Sequence, residues 1–558
     1  MSLPVFTTQA ELFSTAGLAG GLFGPQDRYR LFALKVYPAL ARARSRLESS
    51  YCAATGRVAL EPVLLLGVSL LQYLEGVPDR QAVELLRYHA GWNFALNRQL
   101  GDPVFHPTTL VGFRQRLLDH ELGPLGFATV LEALIAAGWV ARQNRQRLDS
   151  TQMFGRVSRM SRLDCVRESL RLALAELAEA VPVTQRPAGW SRWWSRWWER
   201  YVESQTDYRA ASETLARKLI EAGTDTRQLL DWLAGVPDQP WARGRQAQLL
   251  ARVFDEQFAV VPGSPEPAPK PKEQLSSERV QNPHDPEATY ASKGSGEQRK
   301  EHVGYKVQVA ETVCETALAP GEPTRNFIVG MATHPARESD EQGALKMAAE
   351  QTALGLAAPP VLYVDAAYIS AQTLAEAAAE QRELIGPAPA PPNNNDGRFT
   401  TAAFQVQVEQ RQATCPAGVR NTQCRRLAEQ TTGKVSYRFE WATATCTACA
   451  LRLQCLKATH PHRSLVVGEQ HTVLQTRRQE QRTPPFKQRM KHRNAIEGTQ
   501  SELVRAHGLR RARYRGLAKV KLQNYFIGAA CNLKRWLRRL AWEMQNGLGP
   551  ARTAAAAH

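Results

Sequence analysis

From Asp27 to about Trp139, apolar residues recur every three or four positions, as in "LFALKVYPALARARSRL", "PVLLLGVSLLQYLEGV" and "FRQRLLDHELGPLGFATVLEALIAAGW". That spacing puts them on one stripe of a helix, so residues 1–140 are predicted to form an all-helical N-terminal domain. The period changes after Arg147. "RLDSTQMFG" reads as a short strand, within a segment 141–155, and carries Asp149. Helical spacing returns from about Arg159 to Val260. In "WSRWWSRWWERY" the aromatics Trp190, Trp193, Trp194, Trp197, Trp198 and Tyr201 share one stripe, with Arg192, Arg196 and Arg200 stacked four apart on another. The stripe reads as a packing face; a membrane-surface helix and a surface for stacking bases are the alternatives.

The Pro-rich "VPGSPEPAPKPK" closes this helical insertion, 156–275, as an extended linker or exposed loop. Over 276–390 the pattern becomes short runs rich in β-branched and aromatic residues. "GYKVQVAETV", "RNFIVGMATH" and "PVLYVDAAY" read as strands, and "SAQTLAEAAAEQ" as a helix before the strand "ELIGPA". Strands joined through a helix predict a mixed α/β sheet. Asp365 ends "VLYVD", at the sheet edge where such folds present functional residues. The loop "PAPAPPNNNDG" opens a β-rich segment, 391–480. The last block, 481–545, is helical, with Ile496, Leu503, Val504, Leu509, Leu517, Val520, Leu522 and Phe526 able to line a face against a sheet. The tail 546–558 is expected to be disordered.

Charge adds a partner to this outline. Lys and Arg number 71 against 53 Asp and Glu, a net charge of +18, which makes nucleic acid the first partner to consider and an anionic membrane the second. Eleven Lys/Arg fall between Lys487 and Lys521, with Glu497 and Glu502 as the acids among them. The turn "AHGLRRARYRG", broken at Gly508 and Gly516, carries Arg510, Arg511, Arg513 and Arg515 and reads as a clamp on the DNA backbone, with Lys519 and Lys521 following it. "HPTTLVGFRQRL" offers Pro107 and Thr108 as a helix entry and Arg114 and Arg116 as either a DNA-reading face or ordinary packing. The longest apolar run, Pro62 to Leu74, falls short of the ~18–20 residues a bilayer crossing needs. The N-terminus lacks the basic and apolar regions of a signal peptide, so a reducing cytoplasm and no membrane partner are predicted.

In such a compartment the nine cysteines are thiols or metal ligands before they are disulfides. Cys415 opens a Cys-Pro-Ala-Gly turn, and Cys446, Cys449 and Cys455 follow. The Cys446-x2-Cys449 spacing suits two thiolates on one tetrahedral ion, and the four together predict a structural Zn²⁺ site with Cys424 as a spare. A redox pair or plain buried thiols are the alternatives.

Asp149, Asp365 and Glu497, far apart in the chain, could meet at one sheet edge. A carboxylate trio suits Mg²⁺, and two such ions can serve in-line displacement at phosphorus. Composition does not select these three from 53 acids. The succession "LDST", "YVDAAYIS", the cysteine cluster and "RNAIEGTQSELVRAHGLRRARYRGLAKVKLQN" does, because together it resembles the DDE transposases of the IS1182 group of bacterial insertion sequences, relatives of the IS4 family. The N-terminal "LEPVLLLGVSLLQYLEGVPDRQAVELLRYHAGWNFAL" is similar to the helical domain of those proteins.

The resemblance implies a ribonuclease-H-like α/β catalytic core within a mixed α+β chain that also holds the helical N-terminal domain, the long helical insertion and the β-rich, Cys-containing insertion. It implies Asp149, Asp365 and Glu497 as ligands of two Mg²⁺ (or Mn²⁺) ions. It further implies cleavage of insertion-sequence ends with strand transfer into target DNA, double-stranded ends and target as partners, and a homodimer or larger synaptic complex on the nucleoid. Of the related signature Tyr-x2-Arg-x3-Glu-x6-Lys, Arg493 and Glu497 keep their spacing. Met490 stands in place of Tyr and Val504 in place of Lys, with Arg505 next to it as a phosphate contact like Arg493. The rival readings are a zinc-containing DNA-binding regulator with an inactive core, and a two-metal nuclease without strand transfer.

Overall fold

The computed structural model describes residues 2–548, apart from 5–14, 53–55, 57, 187–189, 205–210, 295, 390–396, 430–432 and 434. Of the predicted disordered tail 546–558, residues 549–558 lie outside the described residues, as does most of the loop "PAPAPPNNNDG".

One six-stranded sheet organises the chain. Its strands are β1 (Gln146–Phe154), β2 (Thr289–Lys293), β3 (Lys300–Thr312), β4 (Ile328–Pro335), β5 (Val361–Tyr363) and β6 (Glu383–Ile385). β3 runs antiparallel to β1 on one side, and on the other to β2 and then β4. β5 lies parallel to β1, and β6 parallel to β5. The two parallel connections each need a crossover. α1 (Asp340–Ala353) and α2 (Ala371–Ala379) supply them, each starting from a serine capping box, Ser339 with Gln342 and Ser370 with Thr373. Helix α1 and strand β2 carry no separate mark in the hydrophobic pattern. β4 and most of β3 are buried on both faces, and the polar residues Lys306, Gln308 and Glu311 of β3 are buried with them.

The C-terminal block forms α3 (Pro484–Asn494), α4 (Ile496–His507) and α5 (Leu517–Gln545). Helix α5 is the centre of the molecule. On one side the Asn532 amide donates to the carbonyl of Ile328 on β4 and accepts its N–H, both at 2.8 Å. On the other, Phe526 stacks on Tyr73 of the helix Pro62–Glu75 with ring centroids 5.3 Å apart. A Cβ on Gly528 would meet Met331 Sδ at 2.5 Å and the Phe127 ring at 3.1 Å, so the helix passes between sheet and N-terminal helices where a larger residue has no room. The N-terminal helices, the sheet and α5 therefore share one hydrophobic core.

Two insertions have cores of their own. Between β1 and β2, the helices Arg162–Ala180, Trp190–Trp198, Ser212–Ala234 and Arg245–Gln257 pack together. The aromatic stripe is their packing face: Trp190, Trp197 and Tyr201 are buried, Trp194 stacks on Trp190 at 4.1 Å, and Arg200 is paired with Asp225 at 2.6 Å. The Pro-rich segment does not hang free, because Ala268–Pro269 pairs with Phe258–Ala259 and the Lys270 N–H donates to Gln257. Between β6 and α3, the strands Gln423–Ala428, Val435–Glu440 and Ser464–Gly468 form an antiparallel sheet over Phe439. No helix among the described residues is long and apolar enough to cross a membrane.

Candidate active site

β1 and β5 are parallel neighbours, with Gln146 beside Leu362 and Arg147 beside Tyr363. Continued for two more residues, that register sets Asp149 beside Asp365, on strands about 4.8 Å apart. Side chains alternate along β1. Arg147 and Asp149 face α3 and α4, whereas Leu148 faces a cavity of about 440 Å³ between α1 and α2. Asp365 follows β5 and caps the turn Ala366–Tyr368, accepting from the Ala367 N–H at 2.8 Å. Glu497 sits in the first turn of α4, whose Gln500 donates to the Ser150 carbonyl on β1 at 3.2 Å.

All three carboxylates meet one guanidinium. Arg493, at the end of α3, has Nη2 at 2.9 Å from Asp149 Oδ2 and 3.8 Å from Asp365 Oδ2, and Nη1 at 3.2 Å from Glu497 Oε1. Arg493, expected as a phosphate contact, is the hub of the acidic cluster. The acids differ in exposure: 10% for the Asp149 side chain, 39% for Asp365 and 65% for Glu497. Burial pushes the Asp149 carboxyl up to about 6; Arg493 and the Ser150 N–H pull against that shift, and the other two acids reinforce it.

Under the trio lies a dry network. Glu311 of β3, fully buried, is paired with Arg147 of β1 and Arg535 of α5, and also accepts from Thr499 Oγ1 of α4 at 2.7 Å. Arg147 donates to the carbonyl of His492, the residue before Arg493, at 3.0 Å, and Arg535 pairs with Glu502 of α4 at 2.9 Å. The network ties both helices to the sheet and so aims Arg493 and Glu497 at Asp149. The signal for it was a charge at an inward position of a strand, Glu311 in "VQVAET", directly opposite Arg147 in the β1–β3 register.

The predicted basic clamp is split by the fold. Gly508 ends α4 with φ 73° and Gly516 starts α5 with φ 91°, conformations that suit glycine, so the turn falls where the sequence places it. Its backbone extends the sheet: the Phe154 N–H donates to Arg510 and the Ala512 N–H to Phe154. Asp285 and Glu287 accept from the N–H groups of Gly516 and Leu517 and hold the start of α5. Arg505, Arg510, Arg511, Arg515 and Lys519 are exposed. Arg513 instead lies over the Tyr73 ring at 4.8 Å, and Lys521 is 3.5 Å from Glu350. Phe154 is five residues from Asp149, so the clamp stands about 17 Å from the carboxylates. Arg114 and Arg116 belong to packing: Arg114 is buried against Asp79, and Arg116 donates to the Ser50 carbonyl and lies over the Tyr51 ring.

Cys415, Cys446, Cys449 and Cys455 line one cavity of about 270 Å³ in the second insertion. Burial pushes the Cys455 thiol up; Arg463 opposes this, and the other three cysteines add to it. Four thiols around one cavity are a donor set that suits a soft cation, although no three of their sulfurs lie within 4.8 Å of one another. Cys424 pairs in register with Phe439 and does not line the cavity. Among the described residues, the group with ligand atoms all within 4.8 Å of one another is Glu502, His507 and Cys531. It is a poor cation site, because Glu502 is already paired with Arg535 and, at 3.4 Å, with Lys534, while burial pushes the Cys531 thiol up to about 12.

Two family models match the chain. Residues 414–537 match one described as "Transposase DDE domain", and residues 23–116 match one described as "Transposase domain (DUF772)". The first spans the cysteine cluster, Arg493, Glu497 and the clamp, while residues 117–413, with Asp149 and Asp365, lie outside both. No curated protein matches the chain.

Proposed function

We propose that the chain is a DDE transposase of the IS1182 group, which cleaves the ends of an insertion sequence and joins them to target DNA. The observation that carries this reading is the convergence of Asp149, Asp365 and Glu497, from two adjacent parallel strands and a helix, on one point at Arg493. The match of two separate segments to transposase families supports it. So does the sheet, in which β3 runs antiparallel to β1, β2 and β4 while β5 and β6 follow parallel to β1, a mixed sheet of the kind a ribonuclease-H-like core would have.

Asp149, Asp365 and Glu497 would hold two Mg²⁺ (or Mn²⁺) ions, hard cations that favour such oxygen ligands. When bound, the ions would supply Lewis-acid stabilisation of the attacking and leaving oxygens at phosphorus. The chain's own residues do the rest. Asp149, with its carboxyl near 6, is ionised at neutral pH and available as a ligand. Arg147, Glu311 and Arg535 keep α3 and α4 in place against the sheet. Arg505, Arg510, Arg511, Arg515 and Lys519 bind the backbone of the DNA flanking the reacting phosphate, with Arg513 and Lys521 holding the clamp in shape. The four cysteines would hold a structural Zn²⁺ that stabilises the second insertion. Cleavage at the element's end frees a 3′-hydroxyl, and that hydroxyl attacks target DNA in a transesterification. Two ends have to be paired for this, which calls for a dimer or larger assembly acting on DNA in the cytoplasm.

The test is to incubate the purified chain with its flanking terminal repeats, target duplex and Mg²⁺. Nicked and joined products are expected. Nicks without joining would favour a two-metal nuclease, and binding without nicks a DNA-binding regulator with an inactive core.

A further inference from the structure

We infer that Arg493 is a stand-in cation: its guanidinium holds the three carboxylates together until divalent metal displaces it, and the displaced guanidinium then pairs with a phosphate of the DNA. This rests on the metal-binding reading above. Three carboxylates at one edge repel one another, and among the described residues Arg493 is the one ion-pair partner of each. The cluster of three acids and one guanidinium keeps an excess of negative charge, which favours a divalent ion. Once the ion is bound, the guanidinium is a like charge among its ligands and is driven out. The main chain need not move, because Arg147 holds the carbonyl of His492 and Gln500 ties α4 to Ser150. Only the long side chain swings. The Arg493 Nε–H is buried without a hydrogen-bond partner, so this rotamer leaves a donor unsatisfied that a bidentate phosphate contact would use. Metal and DNA then favour each other's binding, because each removes the cost of displacing the arginine for the other.

The experiment is titration of the full chain with Mn²⁺ alone, followed by calorimetry or by electron paramagnetic resonance, with and without a duplex oligonucleotide. Without DNA, Arg493→Gln should bind Mn²⁺ about fivefold more tightly than the native chain, as expected for losing three partly exposed ion pairs. The duplex should tighten Mn²⁺ binding in the native chain and much less in Arg493→Gln. Equal or weaker Mn²⁺ binding by a normally melting Arg493→Gln would overturn the inference. Should that variant melt early, Arg493→Lys decides, since it keeps the charge but not the fork of donors; native-like Mn²⁺ affinity and native-like coupling to DNA in it would overturn the inference equally. Failure of the native chain to bind Mn²⁺, or binding that survives Asp149→Asn, would strike the metal site itself and the inference with it.

Discussion

Two clusters of the same chemistry sit two residues apart on the same face of β1. Around Arg147, the Glu311 carboxylate is fully buried between guanidinium groups that are each 5% exposed; around Arg493, the carboxylates are between 10% and 65% exposed. Exposure decides what each can do. In a dry site, removing one partner leaves an uncompensated charge and costs about 3–5 kcal/mol. In a wet site, each pair contributes only about 0–1 kcal/mol and can be exchanged for another partner. The first cluster is suited to hold helices on a sheet, and the second to release an arginine for a metal ion.

The largest effects should come from the open cluster and appear in activity. Asp149→Asn, Asp365→Asn and Glu497→Gln should each abolish strand cleavage in Mg²⁺, while gel-shift affinity for the ends stays near native; unfolding stability should move by only about 1 kcal/mol in Asp365→Asn and Glu497→Gln, whose carboxylates are the exposed ones. Full cleavage by any of them would remove that residue from the site. Next is the closed cluster: Glu311→Ala should lose about 3–5 kcal/mol in denaturant unfolding, because Arg147 and Arg535 are left buried and unpaired. A loss below about 1 kcal/mol would erase the contrast between the clusters.

Acid should separate the two regions by sign. Burial pushes His507, in the dry layer at the end of α4, from 6.5 down to about 4. Its unfolded form takes up a proton first, so its contribution is present above about 6.5 and lost as pH falls toward 4, by at most about 3 kcal/mol. His507→Gln should flatten that part of the unfolding profile. Asp149 has the opposite slope. Its folded carboxyl is raised from 3.8 to about 6, so its contribution is present below about 4 and lost as pH rises through 6, and Asp149→Asn should remove that loss. Matching slopes in the two variants would contradict the assigned burial.

The smallest effect belongs to the clamp. Neutralising Arg510 and Arg511 together should weaken DNA binding and lower the slope of log affinity against log salt by about 2, whereas Arg513→Ala should change it less, because Arg513 is engaged with Tyr73. An unchanged slope in the double variant would sink the clamp.

Much of this was legible in the sequence wherever neighbours along the chain decide the outcome. The helical spacing of the N-terminal region, the strand that bears Asp149, the strand that ends at Asp365 and the break of the basic block at Gly508 and Gly516 all depend on local periodicity and turn chemistry. The four cysteines of one cavity were legible from their spacing. Arg114 shows the limit. A basic residue on a helix reads alike whether it faces DNA or Asp79, and only the packing of the helix Thr108–Asp119 against its neighbours places it inside.

By itself, then, the sequence determined on which kind of element each proposed site residue rides, because residue type and period are local properties. The tertiary structure alone decided that Asp149 lies beside Asp365, that α3 and α4 are bound to the sheet through Glu311, and that Arg493 stands among the acids rather than on the surface. Those outcomes depend on strand register and burial between segments hundreds of residues apart. Register sets which carboxylates meet, and burial sets whether a charge pair is a fixed joint or an exchangeable contact.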